Sequence, residues 1–165
     1  MILFLDYDGV LHPDTAYLVK GRPVLKAEGE LFMWSPILVE ALTDQPHVKI
    51  VLSTSWVREF GFSRARRWLP AEIRDRVIGA TWHSSMGRHT KGLHRIHTTW
   101  WDEVTRYDQI KRYVDYANLG NDWLAVDDKP EGWADADLDN LVHVDGVTGL
   151  SDPAMLALLV ARLGK

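Results

Sequence analysis

Two aspartates stand two residues apart directly after an apolar run at the start of the chain. Residues 2–5 are Ile-Leu-Phe-Leu, and Asp6, Tyr7, Asp8 and Gly9 follow them. Residues two apart on an extended strand share one side, so Asp6 and Asp8 can face one pocket at the carboxyl end of a strand, where open α/β sheets bind ligands. Two like charges there need a cation or a proton between them, and Mg²⁺ accepts carboxylate, carbonyl, water and phosphate oxygens. The pair therefore predicts phosphate chemistry.

Hydroxyl side chains follow a second apolar run, residues 48–52. Ser53, Thr54 and Ser55 come directly after it. Hydroxyls and free backbone N–H groups at a strand end are suited to holding phosphoryl oxygens. The same three residues could simply cap a following helix.

A second acidic pair, Asp127 and Asp128, follows the apolar residues 123–126. It supplies the further carboxylates that a divalent cation would need. A cation on the protein could also neutralise charge on a transferred phosphoryl group. The candidates for that role are Lys91, Arg106 and Lys111.

Short apolar, β-branched runs alternate with helical patterns along the chain. Each run is short enough for a strand covered on both faces, and strands that alternate with helices predict a mostly parallel sheet. We therefore expect an α/β fold: a doubly wound three-layer sandwich with a mostly parallel, five-stranded Rossmann-like sheet. The predicted strands are Ile2–Leu5, Val48–Leu52, Arg76–Thr81, Trp123–Val126 and Leu141–Val144. Helices are predicted to begin near Ser35-Pro36, at the capping residue Thr105, and near Ser151, the last running to Leu163.

Two segments interrupt this alternation. Residues 10–32 contain turn-forming residues and predict a small flap beside the first aspartates, with no large cap domain. Residues 82–102 form a basic insert rich in histidine and tryptophan. The spacing of its histidines does not favour zinc, whereas Trp82, Trp100 and Trp101 beside basic residues could stack on nucleic-acid bases.

Composition limits the remaining classes. A chain of 165 residues suits one domain, residues 1–165. The absence of cysteine excludes disulfides, thiolate metal sites and a cysteine nucleophile. We expect neither a signal peptide nor a membrane span, and hence a cytoplasmic protein. Residues 58–112 carry 12 Lys/Arg against 6 Asp/Glu in a chain of net charge −4, a bias that could steer an anionic substrate or simply reflect a solvated helix face.

The motifs DYDGVL, STS, TRYDQIKRY and VDD occur in an order that resembles the four motifs of the haloacid dehalogenase (HAD) superfamily. The resemblance spans residues 2–128. The stretches WLAVDDKPEGW and VDGVTGLSDPAM also resemble small phosphatase-like HAD domains of RNA-repair proteins. One motif departs from the pattern, because Arg106 stands where the superfamily usually has a lysine.

The resemblance implies a role for each strand-end residue. Asp6 would be the nucleophile and form an aspartyl-phosphate, and Asp8 would be the general acid and base. Thr54 and Ser55 would bind the phosphoryl group, with Ser53 as a rival for Thr54. Arg106 would also bind the phosphoryl group, and Lys91 and Lys111 are the alternatives for this role. The implied ligands of Mg²⁺ are Asp6, Asp8 through its carbonyl, and Asp127 or Asp128.

The predicted function is a magnesium-dependent phosphohydrolase acting on a phosphorylated substrate, such as a nucleotide or a nucleic-acid end, with no membrane partner. A phosphorelay receiver places its acidic pair after the first strand and its phosphorylated aspartate later, which does not fit the second pair here. A glycosyltransferase DxD motif would follow a nucleotide-binding unit, and none precedes residue 2. The alternative from another class is an inactive HAD-like module that binds phosphate or nucleic acid.

Overall fold

The computed structural model describes residues 1–83 and 100–164. Seven strands are described, and each is short. In chain order they are β1 (Ile2–Leu5), β2 (Ala16–Val19), β3 (Arg22–Leu25), β4 (Lys49–Leu52), β5 (Val77–Ala80), β6 (Trp123–Asp127) and β7 (Leu141–His143).

The described residues also form seven α-helices and two 3₁₀ turns, which lie between and after the strands. The helices are α1 (Ser35–Ala41), α2 (Ser55–Phe60), α3 (Phe62–Arg67), α4 (Ala71–Arg74), α5 (Trp100–Glu103), α6 (Arg106–Tyr116) and α7 (Pro153–Leu163). The 3₁₀ turns cover Asp135–Asn140 and Gly149–Ser151.

Five strands form one sheet in the order β5-β4-β1-β6-β7, and every neighbouring pair is parallel. The chain builds outwards on one side of β1 and then returns to build on the other side, which makes the carboxyl end of β1 a topological switch point. The predicted doubly wound α/β fold is confirmed.

The side chains of each strand alternate between two cores, one on each face of the sheet. Leu3 and Leu5 lie in a core shared with α1, α2, α3, α4 and α7. Phe4 lies in the opposite core with Ile110 and Val114 of α6. Each fully buried aliphatic side chain contributes about 2 kcal/mol to folding. These short strands therefore hold their register because a shift of one residue would exchange the two cores.

The flap expected over residues 10–32 contains the antiparallel hairpin β2–β3. Its turn has φ of +49° at Lys20 and +76° at Gly21. The prediction of a single domain over residues 1–165 stays a prediction. Within residues 1–83 and 100–164, no helix combines the length and hydropathy needed to cross a bilayer.

The five predicted sheet strands are all present, with ends that differ by at most one residue. Thr105 caps α6 as predicted, in a reciprocal capping box with Asp108. The last helix begins later than expected: the Asp152 side chain accepts a hydrogen bond from the N–H of Ala154, and Ser151 belongs to the preceding 3₁₀ turn. Ser35 is the first residue of α1 rather than its cap.

Candidate functional site

The polar residues that follow β1, β4 and β6 meet at the carboxyl edge of the sheet. Asp6 directly follows the central strand, which lies between the other two. Leu5 pairs with Leu52 and Val126, so the residues after them come next to Asp6. The alternation of strand side chains directs Asp6 and Asp127 towards α6. Parallel pairing thus gathers groups that are far apart in the sequence.

Three of these carboxylates form one acidic group. Asp6, Asp127 and Asp128 each offer an oxygen within 4.8 Å of the others. Asp6 is 3% exposed and Asp127 is 1% exposed. Burial raises the pKa of Asp6 to about 6 although Arg106 opposes the shift. Burial and the neighbouring carboxylate of Asp6 hold the pKa of Asp127 well above its usual range, and burial also raises the pKa of Asp128.

Arg106 is the cation that contacts this group. It is the first residue of α6, directly after the cap residue Thr105. Its Nη2 lies 3.2 Å from Asp6 Oδ2, and its Nε lies 3.1 Å from Asp127 Oδ2. Burial lowers the pKa of Arg106, but Asp6 and Asp127 more than offset this and hold it above its ordinary value. One guanidinium therefore partly neutralises two buried carboxylates.

The acidic group carries negative charge that the neighbouring side chains do not fully neutralise, and some of its oxygens lack hydrogen-bond donors. Asp127 Oδ2 and Asp128 Oδ1 are buried and make no hydrogen bond in the described structure, although Asp127 Oδ2 has the ion contact with Arg106. Asp128 Oδ2 accepts from Lys129 Nζ at 2.7 Å. Three carboxylates outnumber the cations that touch them, and carboxylate oxygen is the donor that Mg²⁺ and Ca²⁺ prefer. The residues present fit a divalent cation.

Asp8 is held apart from the acidic group by two side chains. Its Oδ2 accepts a hydrogen bond from Trp56 Nε1 at 2.9 Å, and its Oδ1 lies 3.1 Å from His12 Nε2. His12 is fully buried, and its Nδ1 accepts from the N–H of Phe32 at 3.4 Å. This places the ring proton on Nε2, so His12 donates to Asp8. The carboxylate remains 20% exposed and still contributes to raising the pKa of Asp6.

The three consecutive hydroxyls have different environments. Ser53 is fully buried and its Oγ has no hydrogen-bond partner in the described structure. Thr54 is also buried, and its Oγ1 accepts from the N–H of Trp56 as the cap of α2. Only Ser55 is partly exposed, and it lines both cavities described next. The capping interpretation of Thr54 therefore holds, and Ser55 is the hydroxyl that a substrate could reach directly.

Two open cavities flank the site. One, of about 330 Å³, is lined by Ser55, Arg106 and Lys129 among others. The other, of about 110 Å³, lies between the flap and α2 and is lined by Asp8, Ser55 and Trp56 among others; we call it the Asp8 cleft. Within the described residues the hairpin is the only segment inserted between β1 and α1.

Neither alternative to Arg106, Lys91 or Lys111, is found in contact with the acidic group among the described residues. Lys111 lies one turn further along α6 and forms an ion pair with Asp137 at 3.1 Å. Lys91 lies outside the described residues. A lysine to which the sequence assigned no role, Lys129, bridges Asp128 and Asp14 with 2.7 Å contacts to both.

Most of the basic insert, residues 84–99, lies outside the described residues, including its histidines at 89, 94 and 97. Trp101 is buried, and its carbonyl accepts from Gln109 Nε2 at 2.8 Å. The expectation that Trp101 stacks on a base is therefore wrong for this conformation, because packing covers its ring. Trp82 is partly buried against the core.

Sequence reasoning did not identify His12 and Trp56 as site residues. Both could have been suspected from position, since His12 follows Asp8 by four residues in DGVLH and Trp56 directly follows the hydroxyl run. Their donor groups are nevertheless recognisable only when the flap and α2 are brought together.

One of three comparisons with known proteins gave a match. Neither the curated proteins nor the solved structures gave a match. Residues 2–155 match the family described as the HAD domain in Swiss Army Knife RNA repair proteins, and the match includes every strand of the sheet and every site residue named above. This chain therefore belongs to that family of HAD domains.

Proposed function

We propose that the protein is a magnesium-dependent phosphohydrolase that forms an aspartyl-phosphate at Asp6. One observation carries the proposal: the Asp6 carboxylate lies at the end of the central strand, in contact with the Arg106 guanidinium and close to the carboxylates of Asp127 and Asp128. A nucleophile in this position has beside it a cation for the incoming phosphoryl charge and a group of carboxylates that can bind a metal ion. Membership of the HAD domain family supports hydrolase chemistry.

In the first step, an Asp6 carboxylate oxygen attacks phosphorus in line, and the bond from phosphorus to the leaving oxygen breaks. Although burial raises its pKa to about 6, Asp6 is mostly ionised at neutral pH. Asp8 donates a proton to the leaving oxygen. In the second step, Asp8 accepts a proton from the water that attacks the phosphorus, and Asp6 is released as a carboxylate. One group can act as acid and then base because the first step leaves it deprotonated.

The remaining residues position the phosphoryl group and balance its charge. Arg106 can donate N–H groups to two phosphoryl oxygens. Ser55, the first residue of α2, lines the same cavity as Arg106 and offers its hydroxyl there. Asp6, Asp127 and Asp128 would hold Mg²⁺ with the carbonyl of Asp8. When bound, the ion would neutralise the developing charge on the phosphoryl oxygens.

The substrate that we propose is a terminal phosphate on a nucleotide or a nucleic acid. Two open cavities flank the catalytic edge, and no described segment larger than the hairpin closes over them. The family is described as a domain of RNA repair proteins, which favours a nucleic-acid substrate. A large or terminal group suits an open site because it needs no enclosing cap.

The proposal is tested by Mg²⁺-dependent release of phosphate from an aryl phosphate. Asp6→Asn should abolish release, and Asp8→Asn should reduce it by about a hundredfold or more, the usual contribution of a general acid. Acid-quenched wild-type protein should carry one phosphoryl group on the peptide that contains Asp6, detected by mass spectrometry. Asp44→Asn, at an exposed position away from the site, serves as the matched control and should behave as wild type.

One observation favours a second candidate, a phosphate-binding module without turnover. Arg106 stands where the superfamily usually has a lysine, and it contacts both Asp6 and Asp127. If folded protein binds phosphorylated oligonucleotides but releases no phosphate from any ester with Mg²⁺ present, this candidate replaces the phosphohydrolase.

A further inference from the structure

Three exposed arginines line a groove between the flap and α3. Arg22 comes from β3, and Arg64 and Arg67 come from α3. None of their side chains forms a hydrogen bond or ion pair in the described parts of the chain. The groove has a volume of about 500 Å³, and Phe60 and Trp68 also line it. We call it the arginine groove. Three uncompensated positive charges along one groove favour a polyanion.

An aromatic ring is fixed in the same groove. Trp68 is 42% exposed. The ring of Phe32 stacks against it with 5.9 Å between centroids and 16° between planes, and Trp56 meets it edge-on. A ring held on one face and accessible elsewhere offers a platform for stacking at low entropic cost. Guanidinium groups beside such a platform are the combination that binds unpaired bases and the phosphates between them.

The arginine groove adjoins the Asp8 cleft. Pro23 and Phe60 line both of them. A chain that lies in the groove would pass Phe60 to reach the carboxylate of Asp8. Glu59 is the one acidic side chain along the cleft besides Asp8 among the described lining residues, and it lies 3.5 Å from Arg58.

We propose that the arginine groove holds the nucleotides next to the terminal phosphate of a single-stranded nucleic acid. The phosphodiesters contact Arg22, Arg64 and Arg67, and a base stacks on Trp68, while the terminal phosphate lies at Asp6. This assignment rests on the proposed function for the position of the terminal phosphate. The binding surface itself rests on the charge and aromatic pattern of the groove.

The groove is tested with fluorescently labelled, unstructured RNA and DNA octamers that carry a 3′- or a 5′-phosphate, using anisotropy over a range of salt concentrations. Wild-type affinity should fall steeply with salt. Arg64→Gln and Arg67→Gln should each weaken binding several-fold and reduce the salt slope by about 0.7, the value for one single-strand phosphate contact. Lys49→Gln removes the same charge at the opposite, amino-terminal end of β4 and should leave the affinity and the slope unchanged.

Two further comparisons test the aromatic platform. Trp68→Leu should weaken binding of the normal octamer more than that of an octamer with abasic sites. A duplex of equal length should bind more weakly than the single strand. Equal binding of duplex and single strand, or equal affinity of the arginine variants and wild type, would overturn the groove.

The failure of the groove and the failure of the phosphohydrolase give different results. The arginine variants should hydrolyse a small aryl phosphate as wild type does, while kcat/KM for the phosphorylated octamer falls several-fold. If wild type hydrolyses neither compound but the arginine variants bind the octamer less tightly than wild type, the groove proposal is supported and the phosphohydrolase proposal is wrong. If hydrolysis is normal and Arg64→Gln, Arg67→Gln and Trp68→Leu leave octamer binding unchanged, the groove proposal is wrong and the proposed function is unaffected.

Discussion

At the scale of single residues, the two aspartates after β1 have opposite environments. Asp6 is buried beside Asp127 and Asp128, and its carboxylate contacts the guanidinium of Arg106. Asp8 is partly exposed and is held by neutral donors, the N–H groups of His12 and Trp56. Different environments give two identical side chains different tasks. The arrangement suits a nucleophile at Asp6, and the two donors fix the orientation of the Asp8 carboxylate.

The hold on Asp8 leads to a prediction about His12. His12→Phe keeps an aromatic ring among Phe32 and Trp56 but removes the hydrogen bond to Asp8. We expect kcat on alkyl phosphates, whose leaving oxygens need a proton, to fall by about tenfold or more. Aryl phosphates with good leaving groups should lose much less. The measurement is kcat against the pKa of the leaving alcohol.

A matched substitution separates positioning from folding. His12→Gln keeps a neutral N–H donor and should restore part of the activity on alkyl phosphates. Asp8→Asn should show the same dependence on the leaving group as His12→Phe, but more strongly. An equal loss on alkyl and aryl phosphates in His12→Phe would show that His12 only supports the fold.

At the scale of elements, the turn between β1 and the flap is shaped by one glycine. Gly9 has a φ of +72°, and a Cβ at this position would lie 2.6 Å from Asp128 Cγ. The turn after β1 and the loop after β6 can therefore lie this close only because residue 9 has no side chain. Gly9 is therefore needed for two reasons: its positive φ disfavours other residues, and Asp128 leaves no space for a Cβ.

Gly9→Ala should therefore damage the site beyond the cost of backbone strain. The added methyl group would displace Asp128, and a displacement of about 1 Å in an active site can cost about a hundredfold in rate. The measurements are the rate with saturating Mg²⁺ and the free energy of unfolding in urea. We expect the strain itself to cost about 1–2 kcal/mol.

Gly120→Ala is the control for this strain. Gly120 also has a positive φ, +58°, but nothing lies within 4 Å of its added Cβ. It should lose a similar amount of stability and keep its activity. If both variants keep full activity, the contact between Gly9 and Asp128 does not position the site.

At the scale of the whole molecule, the acidic group would couple the binding of a divalent cation to folding. Arg106 contacts Asp6 and Asp127, Lys129 contacts Asp128, and the pKa values of the three carboxyl groups are nevertheless raised mainly by burial. A raised carboxyl pKa favours the protonated folded state. For Asp6, this contribution to stability is complete below its unfolded pKa of 3.8 and is lost as the pH rises through about 6. A bound cation would offset that loss at neutral pH.

Mg²⁺ should therefore raise the melting temperature. At about 100 times its Kd, a ligand that binds only the folded state adds about 2.7 kcal/mol, which corresponds to about 5–10 °C for a chain of this size. The increase should be larger at pH 7.5 than at pH 5, because protons compete with the ion for Asp6 and Asp127. Differential scanning fluorimetry at the two pH values measures both effects.

Asp127→Asn should remove most of the Mg²⁺-dependent increase, whereas Asp44→Asn should keep it. The asparagine preserves the shape of the side chain but loses the charge. An increase of the same size in Asp127→Asn would mean that the ion stabilises the fold from another place.

The sequence by itself determined the fold class, the positions of the five sheet strands, the Thr105 cap and the strand ends that carry the polar residues. These features depend on local patterns: apolar runs, helical periodicity and capping residues act over a few neighbouring positions. The order of the motifs then indicated the superfamily, and the family match agrees.

Only the tertiary structure decided which groups meet. It chose Arg106 over Lys111, placed Asp127 and Asp128 in one group, gave Asp8 its partners and opened the arginine groove. Asp6 and Arg106 are 100 positions apart, and no local pattern specifies a contact across that separation. Such contacts arise because strand pairing and the packing of α6 and the flap fix where each chain segment ends in space.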